Sequence, residues 1–189
     1  ALSFFLGKDL RAYGDAGAIT SRDEQFSTRA RMFANHGSLA KHQHEIEGIN
    51  SRLDGIQAAV LSVKLKHIHK WNSQRKKNGL TYSELFPEIE DVTLPSLRKH
   101  SDHVYHLYVI CADRRDKLQE HLALCGISSG IHYPTALPFL SAYKYLAHEP
   151  SDFPVAHTYQ SKILSLPMYP ELTVDMINHM VDAIIDFYR

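Results

Sequence analysis

Apolar residues recur at helical spacing over the longest patterned stretch of the chain. Leu53, Ile56, Val60, Leu61, Leu65, Ile68 and Trp71 form a wide stripe, which predicts a helix from Ser51 whose stripe is core. Ser51 can cap it, and Asp54 lies in the first turn, where negative charge suits the helix dipole. The helix is expected to continue past Lys76-Lys77-Asn78-Gly79, bent at Gly79, to Leu85, with Pro87 ending it.

Upstream, Ser3 to Leu6 reads as the end of a strand and Gly17 to Thr20 as the next one. Ser21-Arg22-Asp23-Glu24 has capping-box spacing, so a helix is predicted from Ser21 to about Phe33. Asn35-His36-Gly37 stops it, with glycine supplying the left-handed cap. Residues 38 to 49 lack helical periodicity and read as an irregular loop. Downstream, Val104 to Ile110 alternates and predicts a strand. Asp113 to Leu124 predicts a helix capped by Asp113, with Gly126 just past its end. Ile127 to Tyr133 reads as a strand stopped by Pro134. Strand, helix and strand suggest a small α/β layer. A helix follows from Phe153 to Leu164, then an extended piece from Leu166 to Tyr169. The last helix runs from Thr173 to Tyr188, with Met176, Met180, Ala183, Ile184 and Phe187 on one face.

Composition narrows the class. The 189 residues are enough for one substantial core or two small ones, and 44% hydrophobic with 22% charged residues is ordinary for a globular protein. Lys plus Arg equals Asp plus Glu at 21 each, which points to neither a nucleic-acid nor a membrane partner. No apolar run approaches a transmembrane span, and no signal-peptide pattern precedes Ser3. Cys111 and Cys125 lack CxxC spacing, so reduced, buried thiols and a cytoplasmic setting are expected. The 13 histidines include pairs at 42/44, 67/69 and 103/106 but no HExxH and no Cys/His quartet, so no metal site is expected.

The candidate chemistry centres on Lys8. It follows the aromatic stretch Ser3-Phe4-Phe5-Leu6-Gly7 and precedes Ala12-Tyr13-Gly14-Asp15-Ala16-Gly17-Ala18. A glycine-flanked loop can hold an amine still and partly desolvated, favouring its neutral, nucleophilic form. By residue chemistry alone it is either a Schiff-base lysine or a structural loop lysine.

Four further segments occur in order: Asn35-His36-Gly37; Gly48-Ile49-Asn50-Ser51-Arg52-Leu53-Asp54 with Ile56-Gln57-Ala58-Ala59; Gly130-Ile131-His132-Tyr133-Pro134; and Leu164-Ser165-Leu166-Pro167-Met168-Tyr169-Pro170. Together with the Lys8 segment they resemble the DegT–StrS family of pyridoxal-phosphate-dependent sugar aminotransferases, from Ser3 to the last helix. The chain departs from the family pattern at Leu6, where proline is usual, at Arg11 and Ala16, where glycine is, and at Ser129, where threonine is common.

The resemblance implies an α/β fold: the C-terminal part of a fold-type-I pyridoxal-phosphate-dependent transferase, starting just before the lysine. Residues 1–70 would be the end of the large cofactor-binding domain, and residues 71–189 a small domain of antiparallel sheet and helices. The apolar first part of the long helix would pack on the large domain and the partner subunit. Lys8 would carry the Schiff base with pyridoxal 5'-phosphate. Asn50 would reach the cofactor phosphate of the other subunit of a homodimer, and His132 and Tyr133 would contact substrate, with Tyr13 and His36 as weaker candidates; Arg52 is read as pairing with a substrate or a neighbouring carboxylate, or as bracing the dimer. The implied substrates are a nucleotide-linked keto sugar and an amino-acid donor, usually glutamate or glutamine. In the family, the carboxylate facing the pyridine nitrogen and most phosphate ligands precede the lysine. This chain alone is therefore expected to bind the cofactor poorly and to be inactive. The alternative is a non-catalytic half-chain acting as a binding or interaction module.

Overall fold

The structure, a computed structural model, describes residues 1–189. The chain separates into two compact units, Ala1–Lys70 and Trp71–Arg189.

The first unit begins with two short antiparallel strands, β1 (Leu2–Ser3) and β2 (Gly17–Ala18), with Leu2 opposite Ala18. Both are shorter than the predicted strands, because the chain leaves the ladder to form the loop that carries Lys8. Helix α1 spans Glu24–Ala34 and is capped by Asp23, whose carboxylate accepts from Phe26 N–H at 3.1 Å. The expected cap, Ser21, instead accepts from Asp23 N–H at 3.0 Å, so the carboxylate two residues later takes its place. Asn35-His36-Gly37 does end the helix, with φ +58° at His36 and +78° at Gly37. A Cβ at Gly37 would lie 1.6 Å from the Ile46 carbonyl oxygen, so only glycine fits there. Residues 38 to 49 are more ordered than an irregular loop: β3 (Ser38–Ala40) pairs with β4 (Gln43–His44).

The long helix is two helices. α2 spans Gly55–Leu65 and α3 spans Ile68–Leu85, so the interruption falls at Lys66-His67 rather than Gly79. The cap is Asp54, accepting from Gln57 N–H at 2.9 Å, rather than Ser51. The apolar stripe of α2 is not core within this chain: Leu61 is buried, but Ile56 is 74% exposed and Leu65 56%.

The second unit holds the main core. Strands β5 (Val92–Thr93), β6 (Tyr108–Ala112) and β7 (Ile163–Leu166) form an antiparallel sheet in that order, with Val109 opposite Ser165. Helices α4 (Arg115–Leu124) and α6 (Val174–Tyr188) pack together, and α4 also contacts β6 and β7. Tyr82, Tyr108, Ile110, Leu118, Leu164 and Ile184 are among the buried side chains between them.

Several predicted elements shift. The strand predicted from Val104 starts only at Tyr108, because Tyr105 takes φ +50° and turns its ring inward. Asp113 does not cap α4; its carboxylate pairs with Lys162 at 2.7 Å, and Arg114 occupies the cap position at φ +56°. Ile127 to Tyr133 is not a strand but makes a single bridge between Gly130 and Ser165. The helix predicted from Phe153 is only α5 (Pro154–Tyr159), because Ile163 to Leu166 is drawn into the sheet as β7. On α6 the buried face includes Met180, Ala183 and Ile184 as expected, and also Ile177 and Val181, whereas Met176 is exposed. The two cysteines are free but half-buried rather than buried.

On α3, Arg75, Asn78, Gly79 and Tyr82 make a buried face at i, i+3, i+4 and i+7. Arg75 Nη1 donates to the carbonyls of Met168 at 2.9 Å and of Tyr105 and His106 at 3.3 Å. Asn78 Nδ2 donates to Tyr169 O at 2.9 Å, and Tyr82 Oη to Pro167 O at 2.9 Å. Gly79 lies under the Tyr105 ring, which a Cβ would approach to 2.6 Å. The helical period is intact here, but polar side chains that satisfy loop carbonyls carry it, which a search for apolar periodicity passes over.

Candidate active site

Lys8 lies on the loop between β1 and β2. Three backbone hydrogen bonds of 2.8 Å shape that loop: Phe4 N–H to Ala16 O, Lys8 N–H to Phe5 O, and Ala12 N–H to Phe4 O. Ala12 is fully buried beneath it, while Lys8 is half-buried. Helix α2 braces the far side. Gln57 Oε1 accepts from Tyr13 N–H at 2.6 Å, and Lys64 Nζ donates to Arg11 O at 2.8 Å while standing 4.2 Å over the Tyr13 ring. Desolvation, then the charge of Arg11, lowers the Lys64 pKa from its ordinary value. Gly14 passes close to Gln57, whose amide would lie 3.2 Å from a Cβ there. Arg11 holds φ +35°, a conformation in which glycine is less strained.

Asn50 and Arg52 are brought together. Arg52 Nε donates to Asn50 Oδ1 at 3.0 Å. The segment before them is tied to the end of α1 through Ile49 N–H to Phe33 O at 2.8 Å, His36 N–H to Ile49 O at 3.0 Å and Ser51 N–H to Ala34 O at 2.9 Å. Arg31 and Arg52 share the wall of a recess of about 360 Å³ with Asn35 and Ser38. Both arginines also border a wider recess of about 980 Å³ that reaches Phe5 and Ile19. Lys8 lines neither recess. The two weaker candidates have local partners: Tyr13 lies under Lys64, and His36 accepts through its carbonyl from His44 Nδ1 at 2.8 Å.

His132 and Tyr133 belong to the second unit, joined by a cis peptide bond. Their rings meet edge to face at 5.6 Å, and Tyr133 is 69% exposed. His132 Nδ1 lies 2.8 Å from Ser165 Oγ. Sequence reasoning missed Gln57, Lys64 and Ser165 as supports. Gln57 and Ser165 stand inside the quoted motifs, so position within a motif was the available signal.

The sequence pattern of the DegT/DnrJ/EryC1/StrS aminotransferase family matches residues 1–185. The chain belongs to this family. It is 40% identical to the erythromycin biosynthesis sensory transduction protein EryC1 of Saccharopolyspora erythraea, over 96% of this chain and 50% of that protein. It is 36% identical to the dTDP-3-amino-3,4,6-trideoxy-alpha-D-glucose transaminase of Streptomyces venezuelae, over 97% of this chain and 48% of that one. The crystal structure of S. venezuelae DesV in complex with a ketimine intermediate superposes with a TM-score of 0.94 at 35% identity, covering 99% of this chain and 50% of that chain. The fold is thus the corresponding part of a fold-type-I pyridoxal-phosphate-dependent transferase. The chain spans about half the length of the relatives it matches.

Proposed function

We propose that this chain supplies the lysine-bearing part of a pyridoxal-5'-phosphate-dependent aminotransferase that converts a nucleotide-linked keto sugar to an amino sugar. An amino acid, glutamate or glutamine, is the donor. The observation that carries the proposal is Lys8, held on a loop that backbone bonds and α2 brace, in a chain matching an aminotransferase family along residues 1–185.

The residues present fit the cofactor. Lys8 offers a primary amine on a shaped loop. Asn50 has its oxygen engaged by Arg52, which leaves its amide N–H groups as donors suited to a phosphate oxygen, without added charge. Pyridoxal phosphate, when bound, supplies a carbonyl carbon that condenses with amines and a ring that acts as an electron sink.

Lys8 Nζ would hold the cofactor covalently. With its amine free, Lys8 would act as the base that takes the proton from the donor's α-carbon and, in the second half-reaction, as the acid that returns a proton to the sugar carbon that gains nitrogen. Arginine could not do this, because its guanidinium stays protonated and does not form the imine. Arg52, His132 and Tyr133 are assigned to substrate. Residues 1–70 then belong to the large cofactor-binding domain and 71–189 to the small domain. The working enzyme is a cytoplasmic homodimer in which Asn50 reaches the partner's cofactor. The exposed apolar face of α2 suits packing on the rest of the large domain and on the partner subunit.

The test is a chimera that places the N-terminal half of the S. venezuelae relative ahead of residue 1. The chimera is expected to turn yellow with pyridoxal phosphate and to move an amino group from glutamate to a nucleotide keto sugar. Lys8→Ala should abolish both. The 189-residue chain alone should bind the cofactor weakly without turnover, since misplaced reacting groups are costly. Colour and turnover surviving Lys8→Ala would remove the lysine from its role. A chimera that folds but never binds cofactor would favour the non-catalytic alternative.

A further inference from the structure

Ser165 sits on β7, where it is 4% exposed and paired on one side with Val109 of β6. On its other side its backbone grips Gly130 twice: Gly130 N–H donates to Ser165 O at 3.0 Å, and Ser165 N–H to Gly130 O at 2.7 Å. Its hydroxyl then meets His132 Nδ1 at 2.8 Å. Gly130 completes the cradle, since a Cβ there would lie 2.9 Å from His132 Cε1. One residue thus fixes both the backbone entering the His132 turn and the imidazole itself.

The direction of the hydroxyl bond follows from satisfying the donors. A buried serine hydroxyl carries one proton to donate, and leaving that proton without an acceptor is costly. His132 Nδ1 is the partner this hydroxyl has. Were Nδ1 protonated, it would donate to Oγ and leave the hydroxyl proton without an acceptor. Were Nδ1 bare, the hydroxyl would donate to it and the proton of the neutral ring would sit on Nε2.

We propose that Ser165 is a positioning residue that locks His132 in its Nε2–H tautomer and turns that N–H outward as a donor. Such a donor suits a hydroxyl or phosphate oxygen. Its use on a sugar nucleotide rests on the aminotransferase proposal above, whereas the tautomer does not. Asp or Glu at position 165 would favour the other tautomer by accepting from Nδ1–H, so the identity of this residue sets what the imidazole offers.

The test is long-range proton–nitrogen NMR on the 189-residue chain labelled with ¹⁵N-histidine, at about pH 9, where ordinary imidazoles are neutral. His132→Gln assigns the signal by deleting it. The wild-type chain should show the Nε2–H pattern. Ser165→Ala should lower the ratio of Nε2–H to Nδ1–H tautomers by about tenfold, the equivalent of one net hydrogen bond. Ser165→Thr, which keeps the hydroxyl, should restore the ratio, and Ser165→Cys, a weaker donor, should fall between. The graded Thr and Cys variants carry the test if the alanine variant does not fold. An Nδ1–H pattern in the wild-type chain would overturn the proposal, as would ratios identical across the folded variants. None of these readouts depends on turnover, so failure of the aminotransferase assay leaves them intact.

Discussion

Helices α2 and α6 are both rich in apolar residues, yet they have opposite fates. α6 buries Ile177, Met180, Val181, Ala183 and Ile184 against the sheet-and-helix core of the second unit. α2 buries Leu61 and leaves Ile56, Val63 and Leu65 exposed, and the first unit as a whole buries only Ala12, Met32 and Leu61 among its hydrophobic side chains. An apolar stripe states which face of a helix gains by leaving water, about 1.5–3 kcal/mol for each large side chain. It does not state which polypeptide covers that face. The second unit carries its own cover; the first presents its apolar face and its candidate chemistry on the same small scaffold.

The sharpest break between the units is catalytic. In the chimera, Lys8→Ala should reduce amino transfer by about 10⁴-fold or more, through loss of both nucleophile and base. Steady-state assays would register that loss, whereas His132→Gln in the second unit should cost far less. A larger loss at His132 than at Lys8 would invert the assignment.

The stability contrast comes next. Leu164→Ala, at a fully buried sheet position, should destabilise the second unit by about 2–5 kcal/mol, while Ile56→Ala on α2 should stay within about 0.5 kcal/mol in the chain alone. Urea unfolding of both variants measures this. Equal costs would mean that the α2 face is covered in solution, by self-association of the chain.

Alkaline pH should also single out the second unit. Burial, with a smaller contribution from Tyr105, pushes the Tyr108 phenol up to about 12 against the opposing bond from Ser83, and burial raises Tyr82 as well. A phenol whose folded pKa is raised stays protonated in the native state while the unfolded chain ionises. The stabilisation is therefore complete below pH 10 and is lost as pH rises from about 10 to about 12. Tyr108→Phe should remove its share of that slope, up to about 2 kcal/mol, as read from unfolding midpoints against pH.

The smallest effect belongs to the first unit. Arg11→Gly should stabilise the Lys8 loop or leave it neutral, within about 1 kcal/mol, because it relieves the positive φ while keeping the carbonyl that Lys64 grips. It should also let the Lys64 pKa rise, since the Arg11 charge helps to lower it. Hydrogen exchange of the loop amides would measure the first effect, and NMR titration of labelled lysine the second.

Much of this protein was legible in the residues alone. The helix stop at Asn35-His36-Gly37, the extent of the last helix from Thr173 to Tyr188, the helical character of Gly55 to Leu85 and the family itself all follow from local patterns. A cap needs only a side chain and a backbone N–H three residues away, and a family motif needs only its residues in order. Tertiary structure decided the rest. Lys162 drew Asp113 away from capping α4, and pairing with β6 made a strand of Ile163 to Leu166, which had read as the end of a helix. Arg75, Asn78 and Tyr82 became core because carbonyls some ninety residues downstream required donors. Gln57 and Ser165 gained their roles from the Tyr13 backbone and the His132 imidazole that folding brought to them. In each case the deciding energy lies between residues distant in sequence, where no local propensity records it.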